Sequence, residues 1–456
     1  MRQKLHPQMS FAPAPIEQEH ARELAAMSRI LDAHGKAVDL VFRDLPRGGV
    51  APRTGRPAMT AEQVLRAGLI KQLHGLSYED LEFHLADSVS FRSFCRLDPW
   101  QEGPKKSTLH GNLKRVSAMT WEAINQLLVV HAMDRGVEDG KMVRFDCTVT
   151  ETNIHEPTDN ALLWDVVRVL TRLMGRAREE FGDSIRFTDH SRRAKRRNNG
   201  VRNAKKDKVR KRQYRDLMAV TDETLADSRR VAAELATVTT VDMMQLLQAE
   251  SLVFELKRVI LMGERVVDQT RRRIIHGEIV PAQEKLVSIF EPHTDIIVKD
   301  RRDTHYGHKL CLAVGESSLV LDVVVLDGNP ADSTLATTMI GRQEQLYGRV
   351  PRQAAFDGGF ASRVNLEDIK AKGVKDVCFS KGRGIAITEM VKSRWVFRKL
   401  RDFRAGIEGC ISFLKRCFGL TRCLWRGLES FGAYVWASVV TANLLTLARH
   451  ELKPAG

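Results

Sequence analysis

The 456 residues are enough for two or three domains that each bury a core, and the 43% apolar content is that of a globular chain, not a disordered one. Lysine and arginine (72) outnumber aspartate and glutamate (57), and the resulting charge of +15 calls for a polyanionic partner, nucleic acid ahead of an anionic membrane surface. Seven cysteines with no C-x-x-C pair argue against a disulfide framework or a zinc site and suit a reducing cytosol.

The first twenty residues lack the apolar run of a secretory start. Residues 1–57 read as a lead-in that closes in a Gly/Pro/Arg-rich linker. Helical patterns follow over 58–138. Thr60 with Gln63 predicts a capping box opening a helix at Ala61, Gly75 ends that helix, Ser77 caps the next, and Ser107 caps a long one reaching Asp134. Short helices with tight turns suggest a small all-α, helix-turn-helix-like domain, although such domains also occur without DNA.

The period then changes. "KMVRFDCTVT" alternates and is rich in β-branched residues, predicting a strand that carries Asp146 and Thr148. A helical insertion over 161–294 contains a basic arm at 192–215, where thirteen Lys/Arg and one acid supply +12 of the net charge. That run shows no apolar periodicity and contains Asn and Gly, so it reads as a flexible tether. Phosphate contact is preferred over an inert tether because nucleic acid rewards dense positive charge through counterion release. Arg192, Arg193, Arg196, Arg197, Lys205, Lys206, Arg210, Lys211 and Arg212 are the candidates.

Amphipathic helix resumes over 217–273, and strand signals return at "KLVSIF", "DIIVKD", "HKLCLAVG" and "LVLDVVVLDG", the last two forming a hairpin around "ESS". A helix, the short strand "QAAFD" ending in Gly358 and Gly359, a helix and the strand "VKDVCFSKG" follow. One helix over "RDFRAGIEGCISFLK" then carries Arg404, Glu408 and Lys415 on a single face, since offsets of four and seven return to it. The uncharged stretch over 430–448 is nearly long enough to cross a bilayer, but Ser438, Thr441, Asn443 and Thr446 punctuate it, so a buried core helix is expected. With the insertion removed, 139–160 and 295–456 give a mixed α/β sheet domain interrupted after its first strand.

Three acids stand out. Asp146 lies in the first strand, Asp357 at the end of a later one, and Glu408 on a helix after the last. Each alone fits a cap or a surface ion pair. Brought together they suit hard Mg²⁺ or Mn²⁺, two of which can activate an attacking oxygen and stabilise a leaving one at phosphorus.

Three segments resemble the catalytic segments of bacterial insertion-sequence DDE transposases, closest to the ISNCY type: "VRFDCTVTETNIHEPTDNALLWDVVRVLTR", "AAFDGGFAS" and "FRAGIEGCISFLKRCFGLTRC". "RPAMTAEQVLRAGLIKQLHGLSYEDLEFHLADSVSFRSFCRL" resembles their helical N-terminal domain, and "DTHYGHKLCLAV" their strand after the insertion. The resemblance implies an RNase H-like core in which Asp146, Asp357 and Glu408 bind two ions. It implies binding of terminal inverted repeats, cleavage of the ends and joining to target DNA, by a homodimer or larger assembly on DNA in the cytoplasm at the nucleoid, without a membrane. Arg404 and Lys415 match the family's basic residues around the catalytic Glu and would contact phosphates, whereas Arg401 stands where a Tyr is usual. His305 and Lys309 are weaker candidates for DNA or active-site contacts. An RNase H-like nuclease without joining, or an inactive DNA-binding regulator, are the alternative readings.

Overall fold

The computed structural model describes residues 18–45, 59–98, 102–240, 242–299 and 303–453, and the Gly/Pro/Arg-rich linker expected over most of 45–60 lies largely outside them. They divide into two compact units: residues 1–151 with 309–456, and residues 152–308.

In the first unit the lead-in holds two helices that its sequence does not suggest, α1 (Glu19–Asp32) and α2 (Gly35–Asp44). Leu24, Met27 and Leu31 recur at helical spacing on α1 and are buried, so the segment packs rather than trails. Helices α3 (Ala61–Leu73), α4 (Tyr78–Asp87), α5 (Val89–Phe94), α6 (Lys106–Leu113) and α7 (Ala118–Asp134) follow. Two of the expected caps are present: the Thr60 hydroxyl accepts from the Gln63 amide at 3.2 Å and the Ser77 hydroxyl from the Asp80 amide at 3.0 Å. Gly75 takes φ +61° after α3. The long helix expected from Ser107 is instead two. Ser117 starts α7 by accepting from the Thr120 amide, and this second cap outweighs continuation through the polar stretch between them.

Strand β1 (Met142–Thr152) leads to α8 (Asp159–Phe181), α9 (Ser191–Asn203), α10 (Asp207–Ala236) and α11 (Met243–Thr270), which with β2 (Asp295–Lys299) make up most of the second unit. The basic run is therefore helical and not a flexible arm. Ala194, Asn198 and Val201 form a buried stripe at offsets of four and seven, and Asn198 is tied to Asn160 at 2.5 Å. A stripe of small and polar residues shows little hydropathy contrast. "KLVSIF" is not a strand: the Gln269 side chain bonds both backbone groups of Leu286, at 2.8 and 3.1 Å, in place of a neighbouring strand.

Strand β3 (Asp303–Val314) pairs with β2 over its first half and, after the chain re-enters the first unit, antiparallel with β4 (Val320–Val325), the expected hairpin. Then come α12 (Ala336–Tyr347), β5 (Gln353–Phe356), α13 (Arg363–Ala371), β6 (Asp376–Phe379), the one-turn α14 (Ile387–Met390), α15 (Arg394–Ala405), α16 (Ile407–Cys417), β7 (Arg422–Cys423) and α17 (Leu428–Leu452). The strands of the first unit stand in the order β4, β3, β1, β5, β6, with β7 beside β1. Both β1 with β5 and β5 with β6 are parallel. This is the mixed α/β, RNase H-like arrangement expected of the chain.

Helix α17 has the length and composition of a membrane span, but 89% of its apolar window is buried, against α7, α1 and α3. The polar residues that argued for a core helix are satisfied inside. Thr441 and Thr446 donate to the carbonyls four residues back, and Asn443 bonds both backbone groups of Val320 and the Asn125 side chain at 2.7–2.9 Å.

Candidate active site

The parallel register of β1 and β5 pairs Phe145 with Phe356, whose buried rings stack at 4.6 Å. One residue beyond each Phe stands an acid, so Asp146 and Asp357 emerge side by side where β5 ends. Such carboxyl ends of parallel strands are where open α/β sheets place their ligands. Asp146 is largely buried and accepts from the Cys147 amide at 2.8 Å.

Arg404, near the end of α15, reaches both acids with one nitrogen, 2.8 Å from Asp146 and 3.3 Å from Asp357. Its other terminal nitrogen lies 3.4 Å from Glu408, in the first turn of α16. Three acids separated widely in sequence thus share one guanidinium. Arg404 and Asp146 are each only 15% exposed, whereas Glu408 is 72% exposed and loosely held.

The single helix expected across this stretch is two helices that meet at Gly406. A Cβ there would stand 2.3 Å from the Arg144 guanidinium, which would have to shift. Arg144 carries no motif that singles it out in the sequence. It lies on β1 two residues before Asp146, on the same face, buried against the α15–α16 corner. Its guanidinium donates to the Phe403 carbonyl at 2.8 Å and to Ser318 at 3.1 Å, and lies over the Phe403 ring. This basic residue therefore sets the angle at which α16 presents Glu408. The alternation that reveals β1 also places Arg144 beside Asp146.

Asp357 caps a one-turn 3-10 helix, Gly358–Phe360, and accepts from the Ser380 hydroxyl at 2.9 Å. Burial alone would raise its carboxyl, but the Gly358 and Gly359 amides, Arg404 and Ser380 outweigh it and hold the group below the usual carboxylate range. Both glycines are needed for close approach, as the sequence suggested: a Cβ would meet the Lys381 side chain at 2.8 Å from Gly358 and an Asp332 oxygen at 2.6 Å from Gly359. Asp332, which had no sequence signal, pairs with Lys309 at 2.5 Å, and Lys309 also donates to the Pro330 carbonyl at 2.6 Å.

The remaining candidates are distributed as follows. Lys415 lies on α16 seven residues after Glu408 and so shares its face. His305 lies in the part of β3 that pairs with β2. In the basic run, Arg193 is tied to Glu223 at 3.0 Å, Arg197 to Asp216 at 3.2 Å and Lys211 to Asp207 at 3.5 Å, while Arg210 donates to the Ala204 carbonyl. Arg192, Arg196, Lys205, Lys206 and Arg212 are exposed.

Among the described residues no three His, Cys, Asp or Glu side chains stand at metal-ligand spacing. The donors gathered on Arg404 are nonetheless all carboxylate oxygens, the set that hard divalent ions prefer, and the guanidinium marks where a cation is favoured. The donor chemistry, though not the spacing, is that of a site for divalent ions.

The family model "Transposase DDE domain" matches residues 269–444, and "Transposase domain (DUF772)" matches residues 16–115. No curated protein and no solved structure matches the chain.

Proposed function

Because this chain belongs to the insertion-sequence DDE transposases, we propose that Asp146, Asp357 and Glu408 are the acids with which it cuts the terminal inverted repeats of its element and joins them to target DNA. The observation that carries the assignment is the convergence of all three on Arg404. Two Mg²⁺ or Mn²⁺ ions held by these carboxylates supply activation of the attacking oxygen and charge stabilisation at phosphorus when bound.

The residues of the chain do the rest. Asp146 on β1 and Asp357 at the end of β5 are positioned by the stacked Phe145 and Phe356 behind them. Glu408 approaches from α16 at the angle Arg144 imposes. Arg404, once freed from the acids, turns to a DNA phosphate near the cut, and Lys415 meets the backbone further along the same helix face. Water is the first nucleophile and releases a 3′-OH. That 3′-OH then displaces an oxygen at a target phosphate, so one phosphodiester breaks as another forms and no covalent enzyme intermediate or nucleotide is consumed. The N-terminal helices over 58–138 read the repeats, while exposed cations of α9 and α10 grip backbone without sequence preference. Lys309 acts near the site through Asp332. Two ends held together require a dimer or larger assembly, working at the nucleoid in the cytoplasm.

The test is incubation of purified protein with a labelled duplex carrying the element end, in Mg²⁺ or EDTA, comparing wild type with Glu408→Gln. Cleavage and joining are expected only with both metal and Glu408. Undiminished cutting by Glu408→Gln would refute the site.

A further inference from the structure

Helix α11 has two apolar faces where its bundle uses one. Leu252, Leu256, Val259, Val266 and Val267 are buried, and the helix packs on α8 and α10. On the other side Met244, Leu247, Phe254 and Leu261 are exposed, Phe254 by 70%. Leu247, Phe254 and Leu261 are seven residues apart, so they form one straight stripe about 21 Å long. Three large apolar side chains aligned on one face differ from randomly scattered surface leucines and mark an interaction surface.

The charges beside the stripe say what covers it. Glu250 lies four residues before Phe254 and Arg258 four after, both exposed. Glu255 and Glu264, by contrast, are already tied to Arg176 and Arg229. Glu250 and Arg258 are thus placed symmetrically about Phe254 with opposite charge, and Lys257, also exposed, lies on the same flank as Glu250.

We propose that this face binds the same face of a second copy, as an antiparallel helix pair whose two-fold axis passes at Phe254. In that pairing Phe254 meets Phe254 of the second copy, Leu247 meets its Leu261, and Glu250 meets its Arg258 twice over. A parallel pair would set Glu250 against Glu250 and Arg258 against Arg258. An isologous contact requires this self-complementarity, and nucleic acid has no use for an apolar stripe. The surface goes beyond the active-site reading and stands without it, since it needs neither metal nor DNA.

The experiment uses the full chain without DNA. Sedimentation over a range of concentrations should show a dimer, with Phe254→Glu raising its dissociation constant at least about 100-fold. Glu250→Arg should also weaken it, and combining Glu250→Arg with Arg258→Glu should restore it. Under mild oxidation Phe254→Cys should form a dimer linked at that position, mapped by mass spectrometry. Leu247→Cys should link only when mixed with Leu261→Cys. A monomer at every concentration, a dimer indifferent to Phe254→Glu, or Leu247→Cys linking to itself would each overturn the proposal. All the altered side chains are exposed; circular dichroism checks their folding, and the cysteine pairs give an answer without a charge in the stripe.

Discussion

Arg404→Gln is the most informative single change, because it separates holding the acids from binding DNA. In the free protein Arg404 neutralises Asp146 and Asp357 through one nitrogen and touches Glu408 with the other. The Asp146 contact is partly buried, so its loss should cost more than an exposed pair and less than a fully buried one, about 1–3 kcal/mol. The contacts to Asp357 and Glu408, 40% and 72% exposed, add little. The same interaction opposes divalent ions, which must displace the guanidinium to reach the carboxylates. Removing it should therefore lower the melting temperature in EDTA and tighten Mn²⁺ binding by roughly 5- to 150-fold, since about 1.4 kcal/mol is tenfold in affinity. Thermal melting against Mn²⁺ concentration, with Asp146→Asn as the control that lacks the site, reads both effects without any DNA. If Arg404→Gln binds Mn²⁺ no better than wild type, the arginine is not competing with metal and the convergence of the acids on it has another cause.

Four further outcomes rest on particular residues. Asp146→Asn and Asp357→Asn should each abolish cleavage in Mg²⁺ while leaving gel-shift binding of the element end within a few-fold, because the cations that grip DNA lie elsewhere. Gly406→Ala pushes a methyl into Arg144 and should cost about 1–3 kcal/mol in denaturant unfolding, with cleavage reduced more than binding; an unchanged cleavage rate would mean the corner does not position Glu408. Because the folded pKa of Asp357 is depressed, its stabilising contribution is present above its ordinary value of 3.8 and lost as pH falls through the lower folded value. Wild type should accordingly lose stability over that acid range more steeply than Asp357→Asn. Replacing Arg192, Arg196 and Arg212 together by Gln should flatten the dependence of log affinity on log salt by up to about 2.7, at about 0.9 for each phosphate no longer neutralised, and the same change at Arg193 and Arg197, which hold Glu223 and Asp216, should act in part through stability.

What could be read from the sequence was local, and what could not was a matter of partners. Asp357 announced itself by a short strand followed by two glycines, and both glycines do face close neighbours. The adjacency of Asp357 to Asp146 rests on a parallel register across more than two hundred residues, which no window of sequence carries. The basic run reads as a tether for a related reason: its helix buries Ala194, Asn198 and Val201, and a stripe held by an asparagine bond looks polar to any hydropathy pattern.

Arg404 shows both limits at once. Its spacing of four from Glu408 was legible and suggested a surface ion pair, and that pair exists, long and exposed. The strongest contact runs to Asp146, and it requires α15 to stop at Gly406 so that Arg144 can fill the corner. A continuous helix would give Arg404 and Glu408 the same spacing without the angle that brings the arginine over the sheet. The sequence contains the reason, an arginine two residues before Asp146 and a glycine two residues before Glu408, but the two become one feature only after β1 and α16 meet.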